Sequence, residues 1–316
     1  MPYIRHLRLD QIHDGTLRPF VVDRKAQMRK VKVSKDRTEQ RPLRNKTVNS
    51  SLAVVRRILN LAARSWRDDD GKPWLQTAPL IKMLPLTDSR PPRPIMWEEQ
   101  RRLLPMLPAH LANMALFILN TGVRSDVVVN LQWDWEVFLE ELGISIFIVP
   151  KTHVKGEFER KTDMVLVCNS VAQKVIDAQR GKSEQHVFVY RRELGKTSET
   201  DKEREWKPVE VINNTAWQNG RLKAGLGDLH VHDLRHTVGM RLREAGVSEK
   251  TRAAVLWHSN ESITDHYSMA MVREIYDALE LIKEESKGWN KSLQTLIFEA
   301  REKRVHKVHP HKRTTG

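Results

Sequence analysis

Apolar and polar positions follow a helical period over most of this chain. In "NSSLAVVRRILNLAARSWRD", residues 49–68, Leu52, Val55, Leu59 and Ala62 recur at spacings of three and four, which predicts an amphipathic helix. Arg56, Arg57 and Arg64 are available to its other faces, as solvated charges or as phosphate contacts. The pattern breaks at "DDDGKPW" and again at "LTDSRPPRPIMWEEQ", where Pro91, Pro92 and Pro94 suit an extended linker and not a helix interior. From Met96 it is helical once more, through "EEQRRLLPMLP" and then "HLANMALFILNTG", whose glycine stops the second helix. In "ISIFIVPKTHVKGEFERKTDMVLVCN" two β-rich runs flank a polar segment containing glycine, which predicts a hairpin. Helices then alternate with loops. The final "EAREKRVHKVHPHKRTTG" is basic, lacks apolar periodicity and reads as a mobile tail. No internal repeat is apparent. The expected organisation is a small all-helical domain at 1–88, a proline-rich linker at 89–95, a larger domain at 96–290 that is mainly α with a small antiparallel β-sheet, and a basic tail at 291–316.

The length of 316 residues suits two domains, and 40% hydrophobic content with nine tryptophans is enough for real cores. Lys and Arg number 54 against 40 Asp and Glu, a formal charge of +14. Such a surplus points to a polyanionic partner, most often nucleic acid, although a merely basic soluble protein has the same signature. Cys168 is the single cysteine, so no intrachain disulfide and no cysteine-based zinc site is available. Its flanks, "DMVLVCNSV", suggest a small buried residue at a strand end. The N-terminus "MPYIRHLRLDQ" has no apolar signal region, and no run approaches 18 apolar residues. A soluble protein of a reducing, cytoplasmic compartment, without membrane contact, is expected.

The densest chemistry is "HVHDLRHTVGMRLREAG", residues 230–246. His232 and His236 are four apart and would share a helical face, as metal ligands do. His232 and Arg235 are three apart and would share a face in the manner of a phosphate clamp. Asp233 can cap a helix beginning there and Gly246 can end it. That would put His232 and Arg235 near free backbone N–H groups and the positive end of the helix dipole. A metallohydrolase helix would want glutamate where Asp233 stands, together with a third ligand that nothing nominates. His236 is accordingly read as a structural residue.

Taken in order, "TGVR" with Arg124, a tryptophan nine residues later, a hairpin bearing Lys155, "HDLRH", "LWH" with His258, and Tyr267 nine residues after that histidine resemble the tyrosine recombinase (phage integrase) family. The resemblance runs from about Met96 to Tyr267, and more weakly over the helical region before it. It implies a two-domain, C-shaped clamp on double-stranded DNA, with the first domain binding the core site. It further implies metal-free and ATP-free site-specific recombination. In this resemblance Tyr267 attacks the scissile phosphate to give a 3′-phosphotyrosyl link, and Arg124 and Arg235 hold the phosphate. Lys155 protonates the departing 5′ oxygen, His232 handles the tyrosine's proton or bonds the phosphate, and His258 donates to a non-bridging oxygen. Two guanidiniums suit this charge because each presents a planar fork that stays protonated. A phenol, with its pKa of about 10, needs nearby cations and a base to attack at neutral pH. Four protomers on two DNA sites, with possible accessory DNA-bending proteins, are expected from the same resemblance.

Lys151 and Lys161 compete with Lys155 for the lysine role, and Tyr276 is the natural control for Tyr267. Two positions depart from the family. Val127 stands where a polar buttress usually follows the first arginine, with Asp126 about 100° away on a helix, and Trp257 replaces the glycine of "LGH". The rival readings are a type IB topoisomerase, a silent DNA-binding relative and a metal-dependent nuclease. The segment "MAMVREIYDALELIKEE" is amphipathic and would pack either on a neighbouring protomer or on its own domain.

Overall fold

The computed structural model describes residues 2–32, 38–154, 162–191, 205–258 and 271–284. The chain divides into two units, Met1–Pro91 and Pro92–Gly316.

In the first unit, α1 (Asp14–Ala26) packs on α2 (Asn45–Arg64). The four apolar positions of the predicted helix are all buried, alongside Leu17, Phe20 and Val48. The chain after α2 returns along it, where Asn49 exchanges side-chain and backbone hydrogen bonds with Leu84 at 2.9 and 2.8 Å. Between the helices lies an antiparallel hairpin, β1 (Met28–Lys32) with β2 (Thr38–Pro42), pairing Met28 with Pro42. The expectation of a unit built from helices alone is therefore corrected. None of the β2 residues is buried, so no apolar alternation announces the hairpin.

The second unit is mainly helical. Its order is α3 (Trp97–Leu103), α4 (Ala109–Thr121), the short α5 (Ser125–Val129), and a meander of β3 (Glu136–Leu139), β4 (Ile144–Val149) and β5 (Met164–Val167). Then follow α6 (Ser170–Asp177), a two-residue pairing of β6 (Val189–Tyr190) with β7 (Lys207–Pro208), α7 (Thr215–Lys223), α8 (Val231–Glu244), α9 (Glu249–Val255) and α10 (Val272–Glu280). The predicted hairpin is β4–β5, in register Ile146 with Val167.

Both faces of the meander are apolar, and the period-two alternation of a strand sorts them. Phe147, Val149 and Leu166 join the main core, which includes Phe117 of α4 and Ile176 of α6. Ile144, Ile146 and Val167 join a second cluster with Val238 and Leu242 of α8, Val255 and Leu256, and Ile275, Ala278 and Leu279 of α10. The amphipathic segment at 271–284 thus closes its own unit, and Tyr276 packs at the edge of that cluster. Cys168 is fully buried just past β5, as its flanks suggest, and burial pushes its thiol pKa well up.

The proline-rich segment is not a free tether on its C-terminal side. From Pro92 onward it belongs to the second unit and is fastened to α8. The amide of Ile95 donates to Thr237 Oγ1 at 2.9 Å, and that of Arg93 to Asp233 Oδ1 at 3.3 Å. The Arg93 guanidinium pairs with Glu99 at 2.5 Å and Asp228 at 2.9 Å. In an extended segment the non-proline amides are left without helix partners, and here those of Arg93 and Ile95 find side chains of α8.

Candidate active site

The site is built on α8. Val231, Leu234, Val238 and Leu242 face the two cores, so the stripe His232, His236, Gly239 and Arg243 is left to line a cavity of about 290 Å³. Arg235, Arg252 of α9 and His258 complete its charged lining, and Pro92 and Pro94 form part of its wall. The helix begins one turn's edge earlier than expected. His230 is its N-cap and Asp233 sits at N3, accepting from the His230 amide at 2.7 Å in a capping box. His232 therefore lies in the first turn and Arg235 opens the second. The end is as expected: Gly246 takes a left-handed φ of 76°, and the amides of Gly246 and Val247 return to the carbonyls of Arg243 and Leu242.

Arg235 is buried, and its fork is held by backbone. Nη1 donates to the Gly122 carbonyl at 2.7 Å, and Nη2 donates to the Leu256 carbonyl. One side chain thus joins the turn after α4, the body of α8 and the end of α9. Gly122 ends α4 at φ 70°, and a Cβ there would stand 2.9 Å from Leu256 Cδ2 and 3.1 Å from Val238 Cγ1. Left-handed backbone and this close approach both demand glycine. Two residues on, Arg124 caps α5.

Electrostatics report that these groups share one neighbourhood. Burial first, then the charges of His236, Arg235 and Arg124, hold the His232 pKa below the ordinary imidazole value, with Asp233 opposing. Burial, then Arg235, Arg124 and His236, do the same to His258. Both shifts favour the neutral imidazole, which can accept a proton, while the arginines supply fixed positive charge. The His232 and His236 rings meet edge to face at 4.7 Å, a packing contact. Among the described residues no three His, Cys, Asp or Glu side chains converge as a metal site would require. Arg124, His232, Arg235 and His258 are thus brought together. Lys155, Lys161 and Tyr267 lie outside the described residues. Lys151 sits in the turn after β4, its amide donating to Asp163 at 3.0 Å.

Residues 98–273 match the phage integrase family. The chain belongs to that family. The integrase of Salmonella phage P22 is 28% identical over 204 residues, which cover 64% of this chain and 48% of the phage protein. The chain thus spans about half the length of that relative. Among solved structures, the Tn1549 transposon integrase in complex with circular intermediate DNA is similar at TM-score 0.47 and 16% identity, covering 86% of this chain and 85% of that one. A variant of it with transposon right-end DNA gives TM-score 0.49 and 13% identity, covering 95% and 87%.

Within this integrase-family unit both departures from the family pattern have a structural account. Val127 is buried in the main core, and Asp126 is exposed with a hydrogen bond from Ser125 Oγ at 3.2 Å. Neither acts as a polar buttress. Trp257 occupies the glycine position of "LGH" at φ 49°, the one positive φ of a non-glycine residue among those described. The amides of Trp257 and His258 close a Schellman turn onto the carbonyls of Ala254 and Ala253. Trp257 thus fills the left-handed place that such turns normally give to glycine. Its indole is buried in the main core and donates to the Val165 carbonyl at 3.0 Å.

The sequence reading set His236 aside as structural, yet it lines the cavity and lowers both neighbouring imidazoles. Its i,i+4 spacing from His232 was the available signal. Pro92 and Pro94, read as linker, and Arg243 and Arg252 are lining residues that no motif announced.

Proposed function

We propose that the chain is a site-specific DNA recombinase that cuts and rejoins strands through a covalent link to Tyr267. The observation carrying this reading is the convergence of Arg124, Arg235, His232 and His258 inside a region matching the phage integrase family. Arg124 and Arg235 neutralise the scissile phosphate. Arg235 is suited to this because its backbone anchors fix its orientation before any phosphate arrives. The Tyr267 phenolic oxygen forms a bond to phosphorus as the bond to the 5′ oxygen breaks. The phenol's proton passes to neutral His232, Lys155 gives the leaving oxygen its proton, and His258 bonds a non-bridging oxygen. Exchange of one phosphodiester for another is near neutral, so rejoining requires no ATP and no metal. The partner is double-stranded DNA, engaged by four protomers on two sites, with accessory bending proteins as an option of the assembly.

Covalent capture tests this. The protein is incubated in EDTA with a nicked duplex bearing the junction sequence beside its own gene, then resolved on denaturing gels. An adduct in the parent and in Tyr276→Phe, lost in Tyr267→Phe, is the expected result. An adduct surviving in Tyr267→Phe overturns the assignment of the nucleophile. No adduct on DNA that the protein binds overturns the recombinase reading in favour of a silent relative.

A further inference from the structure

Two arginines in the cavity have no part in the chemistry above. Arg243 lies on α8 two turns beyond His236, and Arg252 lies on α9; both line the cavity that holds His232, Arg235 and His258. Four arginines elsewhere in this unit find carboxylates. Arg93 pairs with Glu99, Arg101 with Glu284, Arg180 with Glu136 and Arg273 with Asp277. Among the described residues Arg243 and Arg252 have no such partner, and Arg252 Nε is buried without an acceptor. Among the described residues no acidic side chain lines the cavity. A buried donor left open is a cost that native structures rarely carry, and an arriving acceptor removes it. Cations gathered without counter-charge likewise prepare a place for an anion.

The spacing says which anion. Arg235 and Arg243 are eight residues apart, about 12 Å along the helix axis. That is farther than the oxygens of one phosphate spread, so Arg243 addresses a different phosphate of the strand from the one held at Arg235. We propose that Arg243 and Arg252 form a second phosphate subsite, holding the backbone phosphate next to the one that reacts. The cavity then takes two consecutive phosphates of one strand, with Arg124 and Arg235 at the reacting one. Guanidinium forks suit this role because phosphate is met bidentately. The inference rests on the reading that a DNA strand is cleaved here.

The test uses full-length protein and short duplexes of the junction sequence. One duplex is native, and the others each carry a single neutral methylphosphonate one or two positions to either side of the cut. Binding across a salt series and adduct formation are both read, for the parent and for the doubles Arg243→Gln/Arg252→Gln and Arg243→Lys/Arg252→Lys. On native DNA the Gln double is expected to bind at least tenfold more weakly, with its log–log salt slope shallower by about 0.9, one phosphate's worth. On the duplex whose neighbouring phosphate is neutral, it is expected to lose nothing further relative to the parent. The Lys double keeps most of the slope. Equal weakening of the Gln double on every duplex, or an unchanged slope, overturns the subsite. So does a parent indifferent to every methylphosphonate, a result that does not depend on how the variants fold. If the parent binds but forms no adduct, the cleavage reading fails, while affinity and slope still decide the subsite.

Discussion

The indole nitrogen of Trp257 donates to the Val165 carbonyl at 3.0 Å while Trp257 itself holds a left-handed φ of 49°. A glycine would take that backbone freely, so the side chain must offset a local cost of about 1–2 kcal/mol. Removing a buried tryptophan costs about 3–5 kcal/mol. Packing therefore wins, and the stability order expected is parent, then Trp257→Gly, then Trp257→Ala. The alanine variant loses the indole and keeps the strain. Chemical denaturation of the three proteins checks this, and an alanine variant more stable than the glycine one would refute it.

Gly122→Ala is expected to destabilise the second unit by about 2–5 kcal/mol, adding left-handed strain to a forced contact with Val238 and Leu256. At roughly 2–4 °C per kcal/mol for a domain of this size, calorimetry should show a clear fall in Tm. An unchanged Tm would mean that the turn relaxes without strain.

His232 and His258 are expected to titrate below about 6.5 in the free protein. Folded values below unfolded ones mean that their contribution to stability is in full above about pH 6.5 and is lost as pH falls through the depressed values. By the same linkage, an anion bound between the arginines raises both. NMR titration of the imidazoles with and without phosphate tests the direction. Midpoints at or above 6.5 without anion would contradict the account.

Asp233→Ala removes an acceptor shared by the amides of His230 and Arg93. A lost cap and exposed donors together should cost about 2–4 kcal/mol. Because α8 carries His232 and Arg235, adduct formation should fall as well, measured well below the variant's Tm. Full activity with full stability would show the fastening of residues 92–95 to be incidental.

Regular apolar spacing made the long helices legible: the buried positions of α2 and the stop of α4 at Gly122 follow directly from it. The β4–β5 hairpin was legible for the same reason. Strand β3 was not, because Glu136 within it is held by Arg180 and Ser145, a polar interior position that periodicity counts as exposed. The β1–β2 hairpin lacks a buried face altogether. In the site, "HDLRH" and "LWH" announced themselves by order and gap. His236, Arg243 and Arg252 entered only when α8 and α9 were set face to face, since no local pattern distinguishes a cavity arginine from a solvated one.

The acceptors that orient Arg235 are the carbonyls of Gly122 and Leu256, which no point substitution can delete. What must be kept around them is the main-chain path, which at 122 requires glycine. At 257, one residue beyond the Leu256 acceptor, a tryptophan holds that path at φ 49°, so the guanidinium is aimed by the trajectory of the backbone and not by the chemistry of a neighbouring side chain.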